Sequence, residues 1–156
     1  MIVRAEPLTV AAFAPFGGVI QTPPTPGARH YFDGPLENLR PGAKPSLSVA
    51  FAKPVDLPLA VSMMERHCFS SQSFIPMATT PWLVIVAPTA PDGGPQMEAL
   101  RVFQPGPGAG VTLAAGCWHF PLTVLDQPAA FTLTMWRDGG PDDEELREVV
   151  PVTVTA

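Results

Sequence analysis

Residues 72–87 read QSFIPMATTPWLVIVA, two short apolar runs joined by a link that contains two threonines and a proline. Short apolar runs bounded by Pro and Gly recur along the chain, a pattern typical of all-β sandwiches and barrels rather than of βαβ units. The 156 residues include 21 prolines and 13 glycines, whereas average usage is about 5% and 7%. Because proline removes a backbone donor and clashes with the preceding turn, long helices are nearly excluded.

This pattern predicts one domain, residues 1–156, built from short strands and one or two short helices. The predicted strands are Gly18–Gln21, Leu47–Lys53, Val61–Cys68, Gln72–Pro76, Trp82–Ala87, Leu100–Gln104, Gly110–Leu113, Trp118–Leu122, Phe131–Arg137 and Val150–Thr155. Thr9 is expected to cap a helix over Val10–Phe13, which ends at Pro15. The acidic run 142–145 suits the first turn of a second helix, where the helix dipole favours negative charge.

Composition limits the class of partner. Only 15% of the residues are charged and 46% are hydrophobic, against about 25% charged in typical soluble domains, so part of the surface is expected to be covered, as in a homo-oligomer. The net charge is −5 without a basic stretch, which argues against nucleic acid and anionic membrane as partners. No apolar run reaches the roughly 20 residues that span a bilayer. We expect a soluble cytoplasmic protein.

Two of the three histidines lie in polar and aromatic clusters that core packing does not require. In a strand over Val61–Cys68, period-two alternation places Glu65 and His67 on one face. Gln72 follows a turn-prone link, and His119 comes from a later predicted strand. Two imidazoles, a carboxylate and an amide are reasonable ligands for a divalent first-row metal. The alternative is that each histidine is a hydrogen-bonded structural residue.

Arg137 closes an otherwise apolar predicted strand, Phe131–Trp136. A guanidinium at this position can clamp a carboxylate through two parallel hydrogen bonds. It can equally mark the point where the strand leaves the core and enters solvent. The sequence leaves these two interpretations open.

Cys68 and Cys117 are the only cysteines. If their strands pair, alternation places Cys117 on the face of His119 and Cys68 opposite His67, which disfavours a disulfide. Small buried thiols are therefore predicted. A nucleophilic cysteine is disfavoured too, because Cys117 and His119 have no third group to orient them.

Several motifs occur together in the order and spacing of one enzyme family. They are Leu57-Pro58-Leu59, Glu65-Arg66-His67, Ser71–Met77, Trp82–Ala87, Gly110-Val111, Trp118–Leu122 and Arg137 with Gly139-Gly140. Over nearly the whole chain this set resembles the ureidoglycolate lyases, formerly called ureidoglycolate hydrolases. The resemblance implies a cupin-type β-barrel, usually a homodimer, that acts in allantoin and purine breakdown by splitting ureidoglycolate, a small carboxylate, into glyoxylate and urea. It also implies a divalent metal: nickel, manganese or zinc.

The resemblance also implies roles for residues of this chain. The implied metal ligands are Glu65, His67, Gln72 and His119. The implied catalytic residues are His119 or Glu65 as the base, Arg137 as the holder of the substrate carboxylate, and His30, which closes the site from an N-terminal loop. The implied substrate-binding residues are Arg137, Gln72 and Trp118.

Four positions differ from residues that members of this family often carry. This chain has Phe32-Asp33 where members often have a polar pair, and Ala50-Phe51-Ala52 where they often have a segment with an arginine. It has Phe120 in place of a histidine and Trp136 in place of an acid. These replacements suit a retained barrel whose pocket accepts a different, less polar substrate, or none. Three functions are therefore left open: a ureidoglycolate lyase, a divergent metal-dependent cupin enzyme acting on another small carboxylate, and a non-catalytic cupin that binds a small molecule.

Overall fold

The computed structural model describes residues 1–156 and consists almost entirely of β-strands. In chain order the strands are β1 (Ile2–Arg4), β2 (Glu6–Pro7), β3 (Gly17–Ile20), β4 (Lys44–Ala52), β5 (Leu59–His67), β6 (Gln72–Pro76), β7 (Trp82–Ala87), β8 (Arg101–Gln104), β9 (Gly110–Leu113), β10 (Trp118–His119), β11 (Thr123–Val124), β12 (Ala129–Arg137) and β13 (Glu144–Thr155). The helical segments are α1 (Val10–Phe13) and a 3-10 turn at Met97–Ala99. Neither is long enough to cross a membrane.

The strands form two sheets that face each other. The eight-stranded sheet has the order β1-β13-β5-β10-β7-β8-β2, with β11 also pairing with β7, and the five-stranded sheet has the order β3-β9-β6-β12-β4. Together the sheets form a nearly closed barrel. This architecture confirms the predicted all-β, cupin-type fold.

Strand β7 divides the core into two clusters, because its alternate side chains point to opposite faces of the sheet. The barrel interior contains Trp82, Val84 and Val86, packed with residues of both sheets. A second cluster, on the outer side of the eight-stranded sheet, contains Leu83, Ile85 and Ala87. In the interior, the rings of Trp82 and Phe131 meet edge to face with centroids 4.9 Å apart. The apolar run of the sequence is therefore a strand buried on both faces.

One of the two predicted helices is present and the other is wrong. Helix α1 begins after Thr9, whose Oγ1 accepts a hydrogen bond from the Ala12 N–H at 3.2 Å, as predicted for a cap. The acidic residues 142–145 do not begin a helix, because the chain enters β13 at Glu144 and pairs antiparallel with β5 from His67 to Leu59. This long-range pairing satisfies the backbone hydrogen-bonding groups of β5, and it outweighs the weak local preference of residues 142–145 for a helix.

Other differences lie at the ends of the predicted strands. The predicted strand 118–122 ends at His119, and pairing with β7 resumes only at Thr123, on the far side of Pro121. Proline has no N–H to donate to a ladder. Strands β1 and β2 were not predicted, since runs of two or three residues carry no periodic signal.

Candidate active site

Strands β5 and β10 bring together a carboxylate and two imidazoles. One ligand atom each from Glu65, His67 and His119 lies within 4.8 Å of the others. Glu65 and His67 are two residues apart on β5, and His119 is the cross-strand partner of Glu65. The prediction that these side chains share one face is confirmed.

His119 is oriented by a backbone carbonyl. Its Nδ1 lies 3.0 Å from the Cys117 oxygen. Because a carbonyl only accepts, Nδ1 must carry a proton and donate it. The other ring nitrogen, Nε2, then faces Glu65 Oε1 at 3.2 Å, buried and without an aligned hydrogen bond. In the neutral form of this tautomer, Nε2 points a lone pair at the carboxylate, and a cation held by both atoms would relieve the repulsion; in the imidazolium form, Nε2 would instead pair with Glu65 directly.

His67 is the more accessible of the two imidazoles. Its Nδ1 lies 3.3 Å from Asp143 Oδ2, close but not aligned as a hydrogen bond. Burial lowers the pKa of His67, with a further contribution from His119, and the carboxylates of Asp143 and Glu65 offset only part of this shift. His67 is therefore a neutral imidazole at neutral pH, the form that binds metals.

The Glu65 carboxyl is ionised at neutral pH. Burial acts to raise the pKa of Glu65, but the neighbouring His119 and His67 imidazoles act in the opposite direction, and the net result is a pKa below the ordinary value. The side chain of Glu65 remains 15% exposed, whereas that of His119 is 2% exposed. Of these two groups, Glu65 is the more exposed.

Gln72 lies on the opposite sheet from this group. It is nearly buried on β6, beside Met135 of β12, and its Nε2 is 3.9 Å from the Met135 sulfur. Its Oε1 is buried and has no hydrogen-bond partner. The grouped donor atoms of Glu65, His67 and His119 suit a divalent first-row cation, and Gln72 as a fourth ligand stays a prediction.

A polar cavity of about 220 Å³ adjoins His67. Its lining residues are Arg40, His67, Met135, Arg137, Asp138, Gly140, Pro141, Asp143 and Glu144. Arg137 therefore lies in the same cavity as His67, at the end of the strand that also contributes Met135. The cavity is lined by two guanidinium groups, the His67 imidazole and the carboxylates of Asp138, Asp143 and Glu144. Arg40 is paired with Asp138 and Asp143, so Arg137 is the guanidinium left to bind a small anion.

Of the predicted site residues, only His67 and Arg137 line this cavity. Glu65 and His119 lie beside His67 without lining the cavity, and Gln72 does not line it either. His30 and Trp118 lie elsewhere. His30 lies in an exposed loop, where its ring is 6.5 Å from that of Phe32. Trp118 is fully buried in the second cluster, under the Arg66 guanidinium, and its Nε1 donates to the Gly93 carbonyl at 3.2 Å. Because neighbouring strand residues face opposite sides, Trp118 points away from the face that His119 occupies. The catalytic role of His30 and the substrate-binding role of Trp118 stay predictions.

None of the four replaced positions lines the cavity beside His67. Met135 is the one hydrophobic residue among the nine that line the cavity. Phe51 is exposed on β4, Phe120 packs against the second cluster, and Trp136 lies on the opposite face of β12 from Met135. The aromatic replacements therefore leave the walls of this cavity charged.

Both cysteines are free, in agreement with the predicted absence of a disulfide. Burial raises the pKa of the Cys117 thiol to about 12. A thiol with this pKa stays protonated at neutral pH and is a poor nucleophile. The contribution of Cys117 to the site is its backbone carbonyl, which orients His119.

Comparison with known proteins identifies the family. A sequence-family model described as ureidoglycolate lyase matches residues 1–155. A ureidoglycolate lyase of Mesorhizobium japonicum is 37% identical over 154 residues, covering 94% of this chain and 91% of the relative. Those of Burkholderia cepacia and Azotobacter vinelandii are 39% and 33% identical, covering 90% and 92% of this chain and 81% and 90% of the relatives. On this match, the chain belongs to the ureidoglycolate lyase family.

Proposed function

We propose that this protein is a ureidoglycolate lyase, which releases urea and glyoxylate from ureidoglycolate in the breakdown of allantoin. The observation that carries the proposal is the Glu65, His67 and His119 group, in a chain of this family, whose His67 also lines a polar cavity with Arg137. The two free cysteines are consistent with a reducing compartment such as the cytoplasm.

The reaction needs one proton to leave an oxygen and one to reach a nitrogen. The central carbon of ureidoglycolate carries a hydroxyl and a urea nitrogen. When the hydroxyl loses its proton, the oxygen forms a carbonyl, the carbon–nitrogen bond breaks, and its electron pair goes to the nitrogen. Glu65 takes the proton, since it is ionised and more accessible than His119. The protonated carboxyl then returns the proton to the departing nitrogen.

Glu65, His67 and His119 would hold a divalent metal, with Gln72 as a fourth ligand from the opposite sheet. Nickel, manganese and zinc all suit imidazole and carboxylate ligands. A bound ion would polarise the substrate hydroxyl and make its proton easier to remove. His119 Nδ1 is engaged with the Cys117 carbonyl and His67 Nδ1 faces Asp143 Oδ2, which leaves Nε2 of each ring for this purpose.

Glyoxylate release tests both the activity and its metal dependence. The protein is stripped with a chelator and assayed with ureidoglycolate alone and with added nickel, manganese or zinc. We expect release above the spontaneous rate with at least one metal, and a loss of about 100-fold or more in the stripped protein. Release at the spontaneous rate under every condition rejects the proposed function. Full activity of the stripped protein rejects the role of the metal.

Arg137 holds the substrate carboxylate at the cavity wall. Replacing Arg137 with Ala is expected to lower kcat/KM by about 10- to 100-fold, mainly through KM, because hydrogen bonds to a charged group contribute about 1.5–3 kcal/mol. The matched control is Arg147→Ala, an exposed arginine that pairs with Glu145 outside the cavity. Steady-state kinetics of both variants measure the effect. Equal KM values for Arg137→Ala and the unmodified protein would favour the alternative that Arg137 merely marks the strand exit.

The protein forms a homodimer through the exposed face of β4. Leu47, Val49 and Phe51 alternate along this edge strand, and all three are largely exposed. Three large apolar side chains on one face of an edge strand are a surface that soluble monomers rarely leave uncovered. The low charged content of the chain supports the same conclusion.

Two matched substitutions test the position of the interface. Val49 on β4 is 60% exposed and Val150 on β13 is 83% exposed. We expect Val49→Lys to convert the dimer to a monomer, because a charge buried at an apolar interface is costly. Val150→Lys should leave the dimer intact. Light scattering after size exclusion gives the mass; a monomeric unmodified protein, or a dimeric Val49→Lys, contradicts the assignment.

A further inference from the structure

A buried carboxylate lies beside the imidazole of His67. Asp143 precedes β13 and is 7% exposed. Both residues line the cavity. Asp143 Oδ2 lies 3.3 Å from His67 Nδ1, so the carboxylate faces the Nδ1 edge of the ring and leaves Nε2 on the other edge.

Asp143 is held from two segments of the chain. Its Oδ1 accepts a hydrogen bond from the Phe69 N–H at 3.1 Å and lies 3.5 Å from Arg40 Nη2. Its backbone carbonyl accepts from the Cys68 N–H at 2.7 Å. These contacts fix the carboxylate on its Oδ1 side, and they leave Oδ2 for His67.

Arg40 is itself held in place by two contacts. Its Nη1 pairs with Asp138 Oδ2 at 2.7 Å, and its guanidinium lies 5.3 Å from the centre of the Phe69 ring. Arg40 comes from the segment before β4, so it connects that segment to the turn that precedes β13. The guanidinium thus supports Asp143 without contacting His67.

Stability alone does not account for this network. Four of its polar atoms are buried without an aligned hydrogen bond: Arg40 Nε and Nη2, Asp143 Oδ2 and His67 Nδ1. Buried polar atoms that lack partners cost free energy, and apolar residues of similar size are often equally or more stable at such positions. What the network supplies is a fixed anion at one nitrogen of His67.

We infer that Asp143 is a positioning residue that fixes the orientation and tautomer of His67, and that Arg40 supports it. The inference rests on the proposed function, in which His67 is a metal ligand. An anion beside Nδ1 favours a proton on that nitrogen, so Nε2 keeps the lone pair that a metal needs. Loss of such an outer partner typically costs about 10- to 100-fold in metal affinity.

The tautomer of His67 can be read in the metal-free protein by proton–nitrogen correlation NMR of the imidazole ring. We expect the unmodified protein to carry the proton on Nδ1. In Asp143→Asn, whose amide can donate to Nδ1, the proton should move to Nε2. Zinc, nickel and manganese, each titrated alone, should bind about 10- to 100-fold more weakly to this variant. The matched control is Asp142→Asn, which removes the same charge from the neighbouring exposed residue.

Arg40→Lys provides a second measurement that leaves both Asp143 and His67 in place. It should weaken metal binding in the same direction but less, because lysine cannot reproduce the planar fork of arginine. An unchanged tautomer and unchanged metal affinity in Asp143→Asn overturn the inference. A lowered thermal midpoint with an unchanged tautomer would show a merely structural role. If Asp143→Asn does not fold, the Arg40→Lys variant decides the question. A metal affinity of Arg40→Lys equal to that of the unmodified protein then overturns the inference. None of these measurements uses ureidoglycolate, so the inference can fail while the proposed function stands.

Discussion

Replacing Glu65 with Gln is expected to lower the rate of glyoxylate release by about 100-fold or more. Gln has nearly the same shape as Glu, so the barrel should fold unchanged. The amide cannot accept the hydroxyl proton, and general base catalysis contributes about 10²- to 10⁴-fold. It is also a weaker metal ligand than the ionised carboxylate. Both losses act on the same step, and the effect should therefore appear in kcat rather than in KM alone.

Glu145→Gln is the matched control for this variant. The pKa of Glu145 is lowered, like that of Glu65, but the cause is hydrogen bonding to Arg66 and Arg147. Glu145 is adjacent to the cavity residue Glu144 on β13 yet does not line the cavity. Its variant should keep nearly full activity. Comparable rates for the two variants, measured at saturating ureidoglycolate and metal, would reject Glu65 as the base.

Period-two alternation was the most informative property of the sequence. It correctly placed Glu65 and His67 on one face of β5. The same rule puts Trp118 and His119 on opposite faces of β10, so a signal against Trp118 in the cavity was already present in the sequence. Its role as a substrate-binding residue came from the family motif alone.

Residues brought together by long-range contacts were not predictable in this way. Arg40 lies in an irregular segment with no periodic pattern. Asp143 lies in an acidic run that also suits the start of a helix, and only the pairing of β13 with β5 reveals that it faces His67. Both residues reach the cavity through ion pairs and through the closure of the barrel. Those contacts depend on the complete topology and not on any local window of sequence.

Gly17 is the position at which a single added methyl group should destabilise the fold most. Its φ is +149°, a conformation that residues with a side chain rarely adopt. A Cβ at this position would lie 1.9 Å from the Thr112 carbonyl oxygen. Thr112 is on β9, which pairs with β3 on one side and with β6 on the other. The oxygen therefore cannot retreat without breaking pairing in the sheet that carries Gln72.

Gly17→Ala should consequently lower the free energy of unfolding by about 3 kcal/mol or more, because backbone strain and overpacking each cost about 1–3 kcal/mol. Gly106→Ala is the control, since a Cβ there meets nothing within 4 Å. Its effect should stay within about 0.5 kcal/mol. Urea titration followed by tryptophan fluorescence measures both values. Equal midpoints for the two variants would mean that β9 can shift away from β3. The five-stranded sheet would then be too mobile to fix the position of Gln72 relative to Glu65 and His119.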